Sequence, residues 1–422
     1  MKSGAVGRRN ILGHLMKRVV TQEELHTPLV PYERAVELVM SDVEPLSPVD
    51  VAVGDALGLV AAAEVTADVD VPGFASSAMD GYAVRATDTA GASADRPAEL
   101  NLIDDLPAGA VPSVSVVAGT AAKIMTGGPV PPGADAVVPW EDTEQRGDGV
   151  AVLREFSHGR NVRPRGEDVR KGDRVIEPGT VLRAVHLGVL SSFGRTHVRV
   201  HPRPRVALLS TGDELVDPGR PLGAGQVYDT NRTLLSALCQ AAGARVTAAG
   251  LVVDDPGSVT AWLSDHSGEA DLLVTSGGAS VGEHDWLRDV LSREGQLSMW
   301  RVAMKPGKPI AYARFAGTRV LALPGNPGSV FACAHAFVAP VLRRLAGRDP
   351  SPPARRARLA EDVKGSPSRT LLCRVRLDGD QAVPLPAQSS VVLSNLIPTQ
   401  GFAIVPPGGL PAGADVRVEL ID

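Results

Sequence analysis

Residues 272–282 read LLVTSGGASVG, an apolar run that passes directly into a glycine-rich loop. Residues 206–214 (VALLSTGDE) and 320–329 (VLALPGNPGS) have the same form. Short apolar runs bounded by turn residues are typical of strands that are buried on both faces. Helical patterns follow two of these segments, over residues 231–242 and 329–345. This alternation predicts a mostly parallel α/β sheet with helices on both faces.

The remaining elements of this α/β segment follow the same rules. Further strands are predicted over residues 246–253 and 310–313, and further helices over residues 258–264 and 285–292. Gly243 directly follows the helix over residues 231–242, as expected for a helix stop signal.

The flanking regions are richer in turns. Residues 32–41 space their apolar side chains like an amphipathic helix, whereas residues 72–160 predict a small β-rich domain with a strand at 114–117. Residues 347–354 (GRDPSPPA) predict a linker. Residues 355–422 alternate apolar and polar positions like the strands of a small all-β domain.

Composition excludes several classes of protein. The chain has 422 residues, 44% of them hydrophobic and 22% charged, which is typical of a soluble globular protein. Its 43 Lys and Arg against 48 Asp and Glu give a net charge of −5, which argues against a general nucleic-acid binder. No apolar run approaches the ~18 residues of a membrane span. We therefore expect neither nucleic acid nor a membrane as a partner.

The cysteines and the N-terminus indicate the compartment. Cys239, Cys333 and Cys373 are too few and too far apart for a disulfide framework or a C-x-x-C zinc site, and they suit a reducing cytoplasm. Residues 1–28 carry basic residues around a short apolar patch that Gly13 and His14 interrupt, so they make a poor signal peptide. We expect a flexible N-terminal tail there.

Three loops follow the predicted strands at one rim of the sheet, where open α/β sheets bind ligands. Glycine lets the backbone approach a ligand closely, and a following helix N-terminus offers free N–H groups to an anion. The three loops together favour a phosphate pocket; the alternative is that glycine and proline only close tight turns. The candidate binding residues are Ser210, Thr211, Gly212, Asp213, Ser276, Gly277, Gly278, Ser280, Pro324, Gly325, Asn326 and Pro327.

Charged residues gather at the same rim. Carboxylates next to a phosphate suggest Mg²⁺, which uses few carboxylates together with substrate oxygens; the alternative is helix capping. The acids are Asp213, Glu214, Asp254, Asp255, Glu283 and Asp285. Lys305 and Lys308 flank a Pro-Gly turn, with Arg301 upstream, and could neutralise a phosphate or another oxyanion. Ordinary solvated lysines are the alternative.

Residues 278–282 match G-x-S-x-G, the nucleophile motif of α/β-hydrolases. That motif must follow its strand directly, but Thr275, Ser276 and Gly277 intervene here. The catalytic order also requires a late histidine, and His335 lies inside a predicted buried helix. These features argue against a hydrolase.

Eight segments occur in a characteristic order along the chain. They are SSAMDGYAVR (76–85), KIMTGGPVPPGADAVVP (123–139), GRNVRPRGED (159–168), STGDEL (210–215), VYDTNR (227–232), TSGGASVGEHD (275–285), KPGKP (305–309) and LPGNPGS (323–329). Together they resemble the molybdopterin molybdenumtransferase family, which inserts molybdenum in molybdenum-cofactor biosynthesis and includes the C-terminal domain of gephyrin. The resemblance covers residues 29–422.

The resemblance implies a multidomain α/β plus β fold. A central three-layer α/β molybdopterin-binding domain would be accompanied by two small β-rich domains and an elongated N-terminal helical and extended domain. It also implies a homodimer whose active site is shared between subunits. The expected ranges are 1–28 for the flexible tail, 29–63 with 161–181 for the elongated domain, 64–160 for the β-rich domain, 182–346 for the α/β domain and 347–422 for the C-terminal β domain.

The resemblance further implies that the substrates are molybdate and adenylylated molybdopterin, which a molybdopterin adenylyltransferase would supply. Mg²⁺ would promote cleavage of the phosphoanhydride, and AMP would be released. The implied catalytic residues are Asp80, Thr126, Asp168, Glu214, Asp254 and Asp285. Among them Glu214, Asp254 and Asp285 are the implied metal ligands. The implied substrate contacts include Arg301, Lys305 and Lys308, with Arg374 and Ser394 as oxyanion contacts.

Two departures and two alternatives accompany this interpretation. The family's Phe-Asp-Asn-Ser is here residues 74–77 (FASS), and Arg301 stands where some members have lysine. One alternative function is adenylylation of molybdopterin by ATP, against which the extra β domains and the KPGKP segment argue. The other is a gephyrin-like scaffold, against which the absence of a long linker and a partner domain argues.

Overall fold

The computed structural model describes residues 28–107, 109–278 and 286–421, with Trp286 described as backbone only. The chain divides into two compact units. Unit 1 comprises Met1–Val49, Gly58–Val60 and His201–Asp422, and unit 2 comprises Asp50–Leu57 and Ala61–Val200. The finer domain boundaries within each unit stay predictions. Apart from residue 28, the expected N-terminal tail lies outside the described residues.

The helices and strands of the described residues are numbered in chain order. The helices are α1 (Tyr32–Met40), α2 (Ala184–Ser192), α3 (Thr230–Ala241), α4 (Pro256–His266), α5 (Trp286–Arg293), α6 (Pro327–Cys333) and α7 (Ala339–Leu345), with a π-helical segment at Ala334–Val338. Short 3₁₀ turns lie at Val53–Asp55, Ala86–Thr89, Trp140–Asp142 and Ser394–Leu396. The strands are β1 (Val30–Pro31), β2 (Val49–Ala52), β3 (Val60–Ala61), β4 (Val65–Thr66), β5 (Ser76–Ser77), β6 (Gly81–Val84), β7 (Ala98–Leu106), β8 (Thr120–Ile124), β9 (Ala136–Pro139), β10 (Thr143–Arg146), β11 (Gly149–Val152), β12 (Val162–Arg163), β13 (Arg174–Ile176), β14 (His197–His201), β15 (Arg205–Thr211), β16 (Leu215–Val216), β17 (Val227–Tyr228), β18 (Arg245–Val252), β19 (Leu272–Ser276), β20 (Gly295–Trp300), β21 (Val302–Lys305), β22 (Ala311–Phe315), β23 (Thr318–Leu323), β24 (Ala354–Leu359), β25 (Val363–Lys364), β26 (Thr370–Asp378), β27 (Gln381–Pro384), β28 (Gly401–Val405), β29 (Gly409–Leu410) and β30 (Asp415–Leu420).

The central sheet of unit 1 has the strand order β18-β15-β19-β23-β22-β20. Its first four strands pair in parallel, and β22 and β20 pair antiparallel at one edge. Neighbouring residues on one strand enter opposite cores: Leu208 packs in one apolar cluster and Leu209 in the other. Both faces of the sheet are therefore covered, as the continuous apolar strands predicted.

The helix predicted over residues 329–345 is interrupted. It begins as α6, widens into the π-helical turn at Ala334–Val338 and continues as α7. Pro340 explains the interruption, because it has no N–H to donate and its ring crowds the carbonyl of residue 336.

The strand predicted at residues 114–117 was wrong. No strand lies there among the described residues; Val116 is buried and donates its N–H to Pro132 O (2.9 Å). Just before this segment, Pro112 has no N–H to donate to the hydrogen-bond ladder of a sheet, and Val111 is 82% exposed. The apolar residues of the segment therefore have no partner strand with which to pair. The well-formed sheet of unit 2 instead has the order β10-β11-β7-β8-β6-β9.

The C-terminal segment is all-β, as predicted. Five of its strands join β1 and β21, which come from earlier in the chain, in a seven-stranded sheet with the order β1-β21-β26-β27-β24-β30-β28. β21 pairs in parallel with β26, and Lys305 lies opposite Leu371. This pairing places the KPGKP turn beside the residues that precede β26. None of the helices in the described part of the chain combines the length and apolar character that a membrane span requires.

Candidate functional site

Buried hydroxyl groups lie at the carboxyl ends of β15 and β19 in unit 1. Thr211, Thr275 and Ser276 are each at most 4% exposed. Among the described residues, Thr211 Oγ1, Thr275 Oγ1 and Ser276 Oγ have no hydrogen-bond partner. Because buried polar groups are normally satisfied, several orphaned hydroxyls at one rim indicate a surface that is completed by a ligand.

The three glycine-rich loops contact one another at this rim. The Gly277 N–H donates to Leu323 O (3.3 Å), and Asn231 Nδ2 donates to Gly325 O (2.6 Å). Gly277 has φ +92°, and a Cβ there would lie 2.3 Å from Thr211 O, so no larger residue fits. The structure thus brings together the predicted loops after β15, β19 and β23.

Asp229 and Asn231 are rim residues that sequence reasoning missed, although they lie in the quoted segment VYDTNR. Asp229 is 2% exposed and caps α3: its Oδ1 accepts from the Arg232 N–H (3.1 Å) and from Ser210 Oγ (3.1 Å). Asn231 is 7% exposed, and its Oδ1 has no hydrogen-bond partner within the part of the chain that the structure describes. The pattern of a capping aspartate before a helix could have identified the first residue.

The acidic residues have different roles. Asp255 caps α4, since its Oδ1 accepts from the N–H groups of Gly257 (2.9 Å) and Ser258 (3.1 Å). Its hydrogen bonds with Ser258, joined by that with Gly257, lower the pKa of Asp255. This residue therefore follows the capping alternative rather than metal binding.

Asp213, Glu214 and Asp254 lie nearer the glycines. The Asp254 N–H donates to Asp213 Oδ1 (3.2 Å). A Cβ on Gly212 would lie 2.7 Å from Glu214 Oε2, and one on Gly278 would lie 3.6 Å from Asp254 Oδ1. These hard oxygen donors suit Mg²⁺. Within the described ranges, no group of three or more acidic, histidine or cysteine side chains is close enough to hold a metal ion.

Three predicted residues cannot be placed. Asp285, the third predicted metal ligand, lies outside the described residues, as do Ser280 and Glu283.

An open cleft of about 600 Å³ lies beside the KPGKP turn. Three cationic side chains line it, from Lys305, Lys308 and Arg369, and none of its described lining residues is acidic. Its lining comprises Lys305, Pro306, Gly307, Lys308, Pro309, Pro324, Asn326, Ser329, Arg369, Gln388, Ser389 and Ser390. Such a lining suits an oxyanion.

Burial lowers the pKa of Lys308, and the nearby charges of Arg301 and Arg369 lower it further. Arg301 itself is 4% exposed and has φ +61°, with its backbone tied to Ile310 O (3.0 Å). Arg301 does not line the cleft, and a direct contact with substrate stays a prediction.

Arg374 and Ser394 do not line this cleft. Arg374 is 2% exposed and donates to Gln388 and to main-chain carbonyls, whereas Ser394 opens an exposed 3₁₀ turn. Arg369 and Ser389 lie in the cleft instead. Because β21 places Lys305 and the following turn alongside the start of β26, Arg369, just before β26, reaches the cleft and the buried Arg374 does not. Direct contacts from Arg374 and Ser394 to substrate stay predictions.

Unit 2 holds the other predicted catalytic residues. Asp80 Oδ1 accepts from the Thr126 N–H (2.7 Å) and from Thr126 Oγ1 (2.8 Å). These two hydrogen bonds hold the pKa of Asp80 below its usual value. Asp168 is exposed on another loop, where its N–H donates to Val71 O (3.0 Å).

The loops around Asp80 are joined by backbone hydrogen bonds. The Ser77 N–H donates to Gly128 O (2.9 Å), and the Ala78 N–H donates to Asn161 O (2.9 Å). Ser77, within the divergent residues 74–77, is buried and its Oγ donates to Met79 O (2.5 Å). The three segments of unit 2 that carry the family resemblance thus form one loop cluster.

Three family models match successive parts of the chain. Residues 30–194 match "MoeA N-terminal region (domain I and II)", residues 207–344 match "Probable molybdopterin binding domain", and residues 356–421 match "MoeA C-terminal region (domain IV)". Together the three matches account for most of the chain.

Individual proteins are similar over most of their lengths. Molybdopterin molybdenumtransferase 2 of Mycobacterium tuberculosis is 39% identical over 338 residues, 78% of this chain and 84% of the relative. Molybdopterin molybdenumtransferase of Haemophilus influenzae is 37% identical over 295 residues, 70% and 72% of the two chains. The crystal structure of the molybdopterin biosynthesis MoeA protein from Pyrococcus horikosii has 34% identity and a TM-score of 0.81, covering 93% of this chain and 99% of that one.

Proposed function

The chain belongs to the molybdopterin molybdenumtransferase family, which inserts molybdenum in molybdenum-cofactor biosynthesis, and we propose how its residues perform this transfer. Molybdate enters the cleft beside the KPGKP turn, and adenylylated molybdopterin lies on the three glycine-rich loops. The observation that carries this proposal is the cleft with three cations next to orphaned hydroxyls at the strand ends.

The cations of the cleft attract and orient molybdate. Lys305 and Lys308 provide point charges, whereas the planar guanidinium of Arg369 can donate two parallel hydrogen bonds to neighbouring oxygens. Ser329 and Ser389 add polar groups along the same lining. The partial burial of Lys308 strengthens its attraction for a dianion, because charges interact more strongly where water is excluded.

The strand-end hydroxyls bind the anionic part of adenylylated molybdopterin. Thr211 Oγ1 and Ser276 Oγ have no hydrogen-bond partner among the described residues, and each can donate to a phosphate oxygen. Gly277 lies directly against Thr211, where a Cβ would be 2.3 Å from Thr211 O, so the glycine is required for this close packing of the loop on the strand end.

Glu214, Asp254 and Asp285 would hold Mg²⁺, and Asp213 fixes the backbone of Asp254. When bound, Mg²⁺ neutralises charge on the phosphoanhydride and thereby eases its cleavage. An oxygen of molybdate or of water attacks the adenylyl phosphorus, and the P–O bond to the molybdopterin phosphate breaks, so that AMP leaves with the attacking oxygen. The dithiolene sulfurs bind molybdenum without a change in its oxidation state, and the oxygens that molybdenum loses depart in AMP or as water with the thiol protons. The cations of the cleft offset the negative charge that develops, so no side-chain nucleophile is required.

A second copy of the chain completes the site in this proposal. The Asp80–Thr126 pair is exposed and is flanked by exposed apolar side chains, Phe74 (47%), Met79 (39%) and Trp140 (41%). Apolar side chains exposed around ordered polar groups favour an interface. Asp168 would be contributed by the same subunit as Asp80.

The surrounding pathway follows from the substrates. An adenylyltransferase must supply the adenylylated pterin. The three cysteines are buried free thiols, which supports a reducing, cytoplasmic location.

The test is AMP release from adenylylated molybdopterin by the purified full chain. Release should require both molybdate and Mg²⁺. Lys308→Ala should raise the KM for molybdate, whereas Lys364→Ala, which removes an exposed lysine of β25, should not. Asp285→Ala should abolish release without unfolding the protein. AMP transfer from ATP to molybdopterin, or release that is independent of molybdate, would contradict the proposal.

A further inference from the structure

One wall of the oxyanion cleft is an irregular loop, residues 385–393, between β27 and the 3₁₀ turn at Ser394–Leu396. Gln388, Ser389 and Ser390 of this loop line the cleft. A loop without a hydrogen-bonded ladder needs other contacts to hold its side chains in place. The contacts that fix this loop therefore decide the shape of the cleft.

Arg374 provides most of these contacts. From the middle of β26, its Nη2 donates to Ala387 O (3.0 Å) and Ser389 O (3.0 Å), and its Nη1 donates to Val392 O (3.1 Å). Its Nε donates to Gln388 Oε1 (3.4 Å). These four charged hydrogen bonds reach residues 387, 388, 389 and 392 of the loop. Only the planar, forked guanidinium of arginine presents enough donors to reach them all.

Gln388 returns the contact. Its Oε1 accepts from the Arg374 N–H (3.0 Å), and its Nε2 donates to Arg374 O (2.9 Å) and Leu385 O (2.8 Å). The side chain of Gln388 thereby joins the start of the loop to β26. Because both its amide groups are used, its orientation in the cleft wall is fixed.

The far end of the loop is tied to the segment LPGNPGS. The Gly328 N–H donates to Ser390 O (2.8 Å), and Asn326 Nδ2 donates to Ser390 Oγ (3.3 Å). A Cβ on Gly328 would lie 2.8 Å from Ser390 O. The loop is therefore held between the buried arginine on one side and a glycine on the other.

We propose that Arg374 is a positioning residue that sets the molybdate-facing wall of the cleft by holding residues 385–393, rather than a ligand of molybdate. This inference rests on the proposed function, because it concerns the same cleft. The C-terminal β region would then shape a cleft whose lysines lie on β21 and on the turn after it.

The decisive variant is Arg374→Lys in the full-length protein. Lysine keeps the charge but cannot reach four acceptors at once. We expect the KM for molybdate to rise about tenfold, equivalent to the loss of roughly one charged hydrogen bond, with kcat nearly unchanged. Amide hydrogen exchange of residues 385–393 should become faster even without molybdate. Arg376→Lys, an exposed position on the same strand, is the matched control and should change neither property.

Other outcomes separate the inference from the proposed function. If Arg369→Ala and Lys308→Ala leave the KM for molybdate unchanged, the cleft assignment itself fails. If those variants respond but Arg374→Lys changes neither KM nor exchange, the positioning role is overturned. A raised KM with normal exchange in the absence of molybdate would make Arg374 a direct ligand, which also overturns it.

A second variant serves if Arg374→Lys does not fold. Gly328→Ala leaves Arg374 intact and adds a methyl group that would lie 2.8 Å from Ser390 O, at the other end of the loop. It should raise the KM for molybdate with little effect on kcat. Gly188→Ala is its control, because this helical glycine has open space where a Cβ would be added. A normal molybdate KM for Gly328→Ala would refute the proposed role of the loop.

Discussion

Gly307→Ala tests how the KPGKP turn is supported. Gly307 has φ +107°, and a Cβ there would lie 2.5 Å from Cys333 Sγ and 3.2 Å from Met304 Cε. The backbone conformation costs a non-glycine residue about 1–3 kcal/mol. Overpacking against the fully buried sulfur adds about 1–3 kcal/mol. We therefore expect the free energy of unfolding to fall by roughly 2–6 kcal/mol, or the turn to shift and weaken molybdate binding.

The two parts of this cost can be measured separately. Gly317→Ala is the matched control for the backbone part, because Gly317 has φ +83° and nothing within 4 Å of an added Cβ. Cys333→Ala removes the sulfur, so the double variant should recover the steric part, about 1–3 kcal/mol, as a coupling energy. Denaturant unfolding and the KM for molybdate are the measurements. If Gly307→Ala costs no more than Gly317→Ala and shows no coupling to Cys333→Ala, the sulfur does not support the turn.

Three further predictions concern charged groups. The pKa of Lys308 lies below its ordinary value of about 10.5. Molybdate affinity should therefore fall as the pH rises through that lowered pKa, because the side chain loses its positive charge. Lys308→Arg should move this fall to higher pH in a pH profile of the KM for molybdate. Asp80→Asn keeps the shape of the side chain but loses the charge that the two Thr126 donors stabilise, so AMP release should drop at least about tenfold while thermal unfolding changes little. Asp255→Ala should lower the free energy of unfolding by about 0.5–2 kcal/mol through the lost helix cap and leave AMP release unchanged. Asp254→Ala should instead reduce AMP release and leave the free energy of unfolding nearly unchanged. Equal effects of the two variants on AMP release would count against their different roles.

Local sequence signals were sufficient for the α/β sheet and for the loops at its rim. Apolar runs followed by glycine predicted β15, β19 and β23, because both the burial of a strand and the tight turn after it depend on adjacent residues. The same signals failed at residues 114–117, where the apolar pattern lacks a partner strand. The pairing of strands depends on residues far apart in the sequence, so the alternation of apolar residues alone does not predict it.

The cleft shows the same limit more clearly. The lysines of KPGKP were evident from the sequence, but Arg369 and Ser389 were not, because their position depends on the pairing of β21 with β26 and on the loop that Arg374 holds. The family resemblance implied oxyanion contacts from Arg374 and Ser394, which do not line this cleft, and their contacts with substrate stay predictions. A shift of one residue in a strand reverses the side that its side chain faces, so proximity in sequence could not select the lining residues.

The net charge of −5 is compatible with anionic substrates because charge is distributed unequally around the site. Salt at physiological strength screens exposed charges beyond about 8 Å, so acidic residues elsewhere on the surface contribute little inside the cleft. Lys308, in contrast, is close enough to Arg301 and Arg369 for their charges to lower its pKa. Such mutual repulsion among cations costs stability in the free protein, and a bound dianion relieves it. The cost is confined to the molybdate cleft, while Asp213, Glu214 and Asp254 lie at the glycine rim, where Mg²⁺ and the phosphoanhydride would meet. Separate regions would therefore allow the cations to hold molybdate directly and the carboxylates to hold Mg²⁺, whose positive charge would attract the phosphoanhydride.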